Sequence, residues 1–500
     1  MFSTILASSL VFIDGTAVTV AMPSIQAGVD ATGSELLWIN DAYFIFLSSL
    51  LLLGGSLGDH FGRNRIFSIG IIIFSLASAS SGLSQSPYWL ISSRTFQGIG
   101  GALFVPGSLA IITTLFPKEK VSSAIGLWST FSALTAVVGP LLGGFLAQVG
   151  LWRLIFFLNV PFSAVALWGI NKKVPETKDD KAKKLDFAGA ILIVSGLSSL
   201  TFGLIESSNR GFNDFFILAT LAFGVLTLII FFIVERRKPN ALTPWELFRK
   251  RNFGVSNLIN FLIYSSLGVI TFFLPLDLVQ VQGYSQIEAG LALLPPMLFL
   301  MILSPLSGTL MNKYGAKIFL ITGTLFNATG LFFFSFAGLT SGPSEFWGSF
   351  FWPSVIFGIG MGIIVAPLTS TIMRSIDIAH TGIASGINNA VSRMARLLSI
   401  GIFGAFGLIL FRNMITPQIN NLDLSESQKK EVLKETADFA GTIVPKGFPK
   451  NDEEKIKNIV KKSFVYSFNR VVYFASALVL AGILLAFCIH NDKTMIKQDE

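Results

Sequence analysis

Three ionisable residues stand where the sequence around them is almost wholly apolar: Asp14, Asp41 and Arg94. An ionisable group placed inside hydrocarbon costs roughly 2.5–3.5 kcal/mol on insertion scales, so such residues are kept for what they do. Asp14 lies about nine residues from one end of its apolar run, roughly 13 Å deep, and Arg94 about six residues in, roughly 9 Å. These depths allow the two to pair. Burial raises a carboxyl's affinity for its proton and a nearby guanidinium lowers it, so a movement that alters either one loads or releases a proton. The chemistry expected here is proton exchange, with Asp14 or Asp41 as carrier and Arg94 tuning it. The plainer alternative is a structural ion pair, or, for Asp41 beside Trp38, a water-facing acid near the mouth. A second polar stripe contains Asn388, Asn389, Arg393 and Arg396, of which 389, 393 and 396 share one helical face. Arg393 falls about 17 Å from its end of the run, near mid-depth. This stripe must face a cavity or a partner. It can meet an anionic substrate group or pair with an acid such as Asp277, although depth argues against that acid.

Other chemistries find no residues to carry them. His60, His380 and His490 are scattered, and the single cysteine, Cys488, excludes an internal disulfide framework. There is no G-x-x-x-x-G-K-[ST] loop for a nucleotide and no clustered acid–base or metal set. No enzyme activity, cofactor or metal is expected. The net charge of +8 arises from short basic runs between apolar stretches, which argues against nucleic acid.

The elements that must position these charges are membrane helices. The chain has 500 residues, 52% hydrophobic and 13% charged, against about 25% charged in soluble proteins, and the bilayer is the natural second solvent. Measured against the roughly 20 apolar residues a crossing needs, spans are expected near 2–22, 36–57, 65–84, 88–116, 121–147, 152–171, 185–206, 214–234, 253–280, 287–311, 317–338, 346–371, 382–411 and 467–490. The first is taken as a span and not a cleaved signal, since it lacks a positive flank and runs past Asp14 to Met22. Trp38, Trp89, Trp152 and Trp352 fall near span ends, as an aromatic belt does. Lys and Arg concentrate after even-numbered spans: Arg63 and Arg65, Lys118 and Lys120, Lys172 to Lys184, Arg236 to Arg251, Lys313 and Lys317. By the positive-inside rule these loops and both termini are cytoplasmic. Residues 412–466 are then outside despite four lysines near the last span. They are expected as a mainly solvated loop, with room for a short amphipathic helix from Ser425 to Ala440.

An internal echo divides the chain. Gly55-Ser-Leu-Gly-Asp59-His-Phe61-Gly62 is repeated at Gly308-Thr-Leu-Met-Asn312-Lys-Tyr314-Gly315, and Pro106, Ala124 and Gly126 are echoed by Pro367, Ala384 and Gly386. Two echoes at nearly one offset imply two homologous halves, which maps the second span onto the tenth. The expected plan is an all-α membrane protein of 6+2+6 helices: a bundle over 1–171, basic linkers with two extra spans over 172–252, a bundle over 253–490 carrying the external 412–466, and a cytoplasmic tail 491–500. Parallel halves with a site between them are a transporter plan.

These residues carry a family resemblance. Gly54 to Arg65 resembles motif A of the major facilitator superfamily, Leu90 to Ala102 its motif B, and Thr135 to Gly144 its antiporter motif C. Phe12 to Pro23 and Trp38 to Tyr43 resemble the fourteen-span drug:proton antiporter branch. His60, Thr135, Asp277 and Arg396 depart from that pattern; Arg396 replaces a small residue. The resemblance implies a cytoplasmic gate at Gly55, Asp59, Gly62 and Arg63, in which Asp59 meets a neighbouring helix end and Arg63 a nearby acid. It implies that Gln97 tunes the coupling site. It implies a hinge at Gly139, Pro140, Gly143 and Gly144, small residues that also let helices pack closely in lipid. The substrate cavity is expected at Gln97, Asn388, Asn389, Arg393 and Arg396. The reading is a monomeric, multi-pass plasma-membrane exporter of small molecules, coupled to protons and working by alternating access. Its rivals are an importer or symporter of a small organic anion and, from another class, a non-transporting scaffold or receptor.

Overall fold

In the computed structural model, which describes residues 2–115, 118–178, 185–238, 241–243, 245–376, 381–435 and 449–489, fourteen long helices follow one another. They are α1 (Phe2–Val29), α2 (Gly33–Phe61), α3 (Arg63–Leu83), α4 (Pro87–Leu115), α5 (Lys118–Gln148), α6 (Asn159–Lys173), α7 (Phe187–Arg210), α8 (Phe215–Arg237), α9 (Arg251–Leu276), α10 (Leu294–Tyr314), α11 (Ala316–Phe334), α12 (Phe351–Arg374), α13 (Thr381–Asn420) and α14 (Lys450–Phe487). Helices satisfy their own backbone groups, which lipid cannot. Thirteen helical stretches are long and apolar enough to cross a membrane; α5 adds a shorter apolar stretch, Val137–Gln148. His380, His490 and Lys181 to Lys184 lie outside the described residues.

Three local features refine the expected spans. The sixth begins as a separate turn, Leu154–Phe157, before α6. The ninth ends in a π turn, Asp277–Val281, and the tenth starts as a short helix, Gln286–Ala292. Trp152 is buried, with Gly28 against its indole, whereas Trp89 and Trp352 are exposed.

The segment after the thirteenth span is not the solvated loop expected from its charge. Helix α13 continues to Asn420, a short helix spans Glu426–Glu435, and α14 begins at Lys450, well before its apolar part. Ile415, Ile419, Val432, Ile456, Val460 and Phe464 are buried among themselves and their neighbours. The charged residues occupy the outer faces of these helices, which hid the apolar stripe beneath them. Of the expected Ser425–Ala440 helix, residues 436–440 lie outside the described residues.

The sequence echo has a structural counterpart. Both copies end at a glycine with positive φ, Gly62 (112°) and Gly315 (82°), which closes one helix and opens the next. Their N–H groups donate to Gly58 and Met311 at 3.0 and 2.9 Å. Gly70 of α3 packs on Gly100 of α4, and Gly323 of α11 packs on Gly360 of α12, so close that a Cβ would overlap backbone. Small residues thus set equivalent crossings at equivalent places. Helices α7 and α8 pack on each other, and α7 lies against α2 and α13. At the α7 N-terminus, Asp186 accepts from the Gly189 N–H (2.8 Å) and pairs with Lys238 at 2.5 Å.

Candidate functional site

Helix α1 brings Asp14 against α4, and the expected pairing exists. Arg94 Nη1 lies 2.5 Å from Asp14 Oδ2, with both side chains fully buried. The pair is closed on every side. Gln97 donates to Asp14 Oδ1 (2.9 Å) and accepts from Arg94 (2.7 Å). Asn159 of α6 donates to Asp14 Oδ1 (3.3 Å) and to Ser78 Oγ of α3 (2.8 Å), and Ser78 donates to the Phe156 carbonyl (2.8 Å). Arg94 also donates to the Ile39 carbonyl (3.3 Å) and lies over the Tyr43 ring at 4.1 Å. Five helices, α1, α2, α3, α4 and α6, therefore meet around one ion pair. Gln97 belongs to this cluster and does not line the cavity described below, contrary to its expected place. Ser78, Asn159 and Tyr43 were not singled out from the sequence. An asparagine and a tyrosine inside apolar stretches were the available signal.

Asp41 is also fully buried. Its Oδ1 accepts from Asn40 at 3.0 Å, while Oδ2 has no partner among the described residues. It sits where α2, α7 and α13 meet, beside Gly401, on the same face of which lies Thr201 of α7.

A cavity of about 130 Å³ opens between α1 and α5 on one side and α9, α10 and α13 on the other. Gly15, Thr16 and Thr19 of α1 line it, facing Thr271 and the apolar Leu293, Met297, Leu300 and Met301. Arg396 is the one charged residue among those lining it. Of the five residues expected there, Arg396 alone does so. Asn389 is exposed and donates to the Ser385 carbonyl (2.9 Å). Asn388 is buried, and its carbonyl accepts from Asn260 (3.1 Å). Arg393 lies one turn before Arg396, near Tyr43 and Tyr264. Asp277 is held by Gln282 (3.2 Å), which turns it away from any arginine pairing.

The antiporter-motif residues are contact points. A Cβ on Gly139 would strike Thr16, and one on Gly143 would strike the backbone of Ala17, so α5 lies directly on α1. Gly144 meets the backbone of Gln286, and Gly290 that of Pro140. Around them the two halves are joined: Gln280 donates to Gln26 (2.8 Å), Gln286 to Ser24 (2.9 Å), and the Ile287 N–H to Gln148 (3.2 Å). These contacts sit at the end of the bundle opposite Asp59.

Motif A is arranged differently from the expected latch. Arg63 pairs with Asp59 itself at 2.8 Å, one turn away. The acid that serves this loop is Glu176, whose carboxylate accepts the N–H groups of Asn64 and Arg65, both at 3.0 Å. Asn64 donates to the Val174 carbonyl (2.8 Å) and the Arg63 N–H to Thr177 (2.8 Å). The joint thus closes on the segment following α6, with Gly55 facing Pro106 of α4. Its echo reaches further: Asn312 accepts from Arg374 at the end of α12 (2.7 Å).

Thirteen stretches apolar and long enough to cross a membrane, a cavity among them and a buried ion pair mark a multi-spanning membrane protein. The sequence profile of the Major Facilitator Superfamily matches residues 4–400, and the chain belongs to that family of transporters. It is 28% identical over 483 residues to the tetracenomycin C resistance and export protein of Streptomyces glaucescens, covering 95% of this chain and 88% of that one. It is 31% identical over 404 residues to the cephamycin export protein CmcT of Amycolatopsis lactamdurans (80% and 81%). Against the methylenomycin A resistance protein of Bacillus subtilis it is 30% identical over 397 residues (78% and 84%). Among solved structures, an inward-facing, unoccupied bacterial homologue of the human lysosomal transporter Spinster superposes with a TM-score of 0.67 at 18% identity. That match covers 97% of this chain and 96% of the other and bears on the fold.

Proposed function

We propose that the protein exports small molecules across the plasma membrane in exchange for protons, by alternating access of its two halves. The relatives named for export and resistance support the export of drug-like compounds. The observation that carries the coupling is one of position. Asp14, sealed against Arg94, is followed directly on α1 by Gly15 and Thr16, which line the cavity. A molecule entering the cavity presses on the helix that holds the acid. A shift of α1 relative to α4 would loosen the ion pair and change the carboxyl's proton affinity. Asp14 is the proton carrier, Arg94 and Gln97 set its environment, and Asp41, with one oxygen unpartnered, is the second candidate.

Around this centre the remaining roles fall into place. Residues 1–171 and 253–490 form the two moving bundles, and 172–252 adds the extra pair α7 and α8. Gly139, Pro140, Gly143 and Gly144 are the pivot on which α5 moves over α1. Gly55, Asp59, Gly62 and Arg63 hold the joint that closes the cytoplasmic side, where the basic loops and both termini lie. The working unit is the monomer.

The test is proton exchange in everted vesicles. Addition of a transported compound should dissipate an imposed pH gradient with the wild type and not with Asp14→Asn. Equal dissipation in both would remove Asp14 from coupling, and uptake without any pH response would remove protons.

A further inference from the structure

The charges of the second half differ from those of the first in having no counter-ion. Arg393 and Arg396 stand one turn apart on α13, and no carboxylate lies within ion-pair distance of either among the described residues. What surrounds them is neutral. The Arg396 guanidinium lies 5.7 Å from the centre of the Phe44 ring of α2, and its stem packs on Gly268 of α9. Tyr43 of α2 and Tyr264 of α9 lie within electrostatic range of both arginines. The Tyr43 hydroxyl is fully buried and has no hydrogen-bond partner among the described residues. Two guanidiniums and an idle hydroxyl therefore converge beside a cavity whose described lining contains no acid.

Both arginines are half-buried, and a charge withdrawn from water is ordinarily paired, because losing hydration unpaired is costly. Here the paired arrangement is missing on the protein side, and the cavity touches Arg396 directly. We infer that the missing partner is the substrate: an amphipathic acid whose carboxylate, or other anionic group, binds Arg396 with Arg393 behind it. Its apolar body lies on Val137, Leu293, Met297, Leu300 and Met301. Guanidinium and carboxylate match as a two-pronged hydrogen-bonded pair, and the neighbouring phenols add donors. A lipophilic cation of the same shape meets two like charges and no acid, which is the rejecting half of the selectivity.

The geometry also gives the anion a route to the coupling centre. Tyr43 has Arg94 over its ring and its hydroxyl near Arg393 and Arg396. An anion that draws this hydroxyl moves the ring against which the Asp14–Arg94 pair is held.

This assignment rests on the cavity being the transport site, and the test separates the two. Two fluorescent probes of one shape, 1-pyrenebutyrate and 1-pyrenebutyltrimethylammonium, are titrated into the purified full-length protein in neutral detergent. They are also offered to cells lacking their own pumps. The acid should bind and be exported, and the cation should do neither. Arg396→Gln should weaken binding of the acid roughly tenfold, the loss of one charge-assisted hydrogen bond. Arg396→Lys, which keeps the charge but not the two-pronged geometry, should recover only part of it, with thermal unfolding showing both variants folded. Selective binding without export supports the assignment and overturns the export reading. Export of the cation as fast as the acid overturns the assignment and leaves export standing. No binding of the acid, or equal affinity in wild type and Arg396→Gln, also overturns it. Phosphatidylglycerol added to the micelles should not displace the probe; displacement without export would make the arginines a lipid headgroup site and overturn it.

Discussion

The first half of the molecule neutralises its buried charge internally, and the second half leaves two half-buried arginines open beside a cavity. Asp14 and Arg94 are joined at 2.5 Å and enclosed by Gln97, Asn159 and Ser78. Arg393 and Arg396, one turn apart on α13, meet tyrosine, phenylalanine and the cavity. The repeat that built equivalent helix crossings from Gly70, Gly100, Gly323 and Gly360 did not build equivalent electrostatics. Under the proposed function the self-contained pair would hold or release a proton without the substrate's atoms, while the open pair has no counter-ion until something enters.

The largest effect should come from breaking the closed pair. Arg94→Ala leaves the Asp14 carboxylate buried against a vacated space, an arrangement that costs about 3–5 kcal/mol. Arg396→Leu removes a charge that has no partner, so stability should stay level or rise. Cys488, the only cysteine in the chain and partly buried, is a convenient reporter: a thiol-reactive dye followed during heating of the purified protein reads both variants. Arg94→Ala should unfold at markedly lower temperature than wild type, and Arg396→Leu should not. Equal loss in the two would mean that Arg396 has a partner in the folded protein, and the comparison between the halves would fail.

The first half of this contrast was legible in the sequence and the second only partly so. Apolar runs of about 20 residues place the helices, because lipid admits few other backbone arrangements. Once the runs are counted, depth along α1 and α4 makes Asp14 and Arg94 possible partners. The enclosure was not legible. Ser78, Asn159 and Tyr43 come from three further helices, and their meeting depends on crossing angles that spacing along one chain does not encode. The same blindness misplaced Gln97, Asn388 and Asn389. Each lies on a helix that borders the central region, but which face turns inward is set by packing against neighbours such as Gly98 and Gly268. The apolar stripe of Ile415, Ile419, Val432 and Ile456 was missed for another reason. Lysines and glutamates dominate that segment's composition, and composition averages over the faces of a helix.

Between the halves, the contact of α5 with α1 offers an intermediate test. Gly143 has no room for a side chain beside Ala17. Gly143→Leu must push α5 away, a strain of about 1–3 kcal/mol by analogy with overpacked cores. Because Gly144 and Pro140 also touch the segment Gln286–Ala292, the same displacement loosens the joint between the halves. Transport should fall steeply while pyrenebutyrate binding at Arg396 changes little. A proportional loss of both would place Gly143 in the binding surface and take it out of the moving contact.

The smallest effects belong to the two echo joints, and their order discriminates between readings of motif A. The Arg63–Asp59 pair is partly exposed and spans a single helical turn, a geometry worth about 0.3–0.5 kcal/mol. Glu176 instead receives two backbone N–H groups at the start of α3, and removing such a cap costs about 0.5–2 kcal/mol. Glu176→Gln should therefore lower thermal stability more than Arg63→Ala does. If Arg63 acts in the cycle beyond this local pair, Arg63→Ala should slow transport while leaving unfolding temperature and substrate affinity near wild type. Arg374→Ala, which removes the donor to Asn312 in the second copy, supplies the control. Slowing by Arg63→Ala alone assigns the gate to the first joint. Equal slowing by both makes the gate a property of the repeat, and the difference between the halves is then confined to their inner charges.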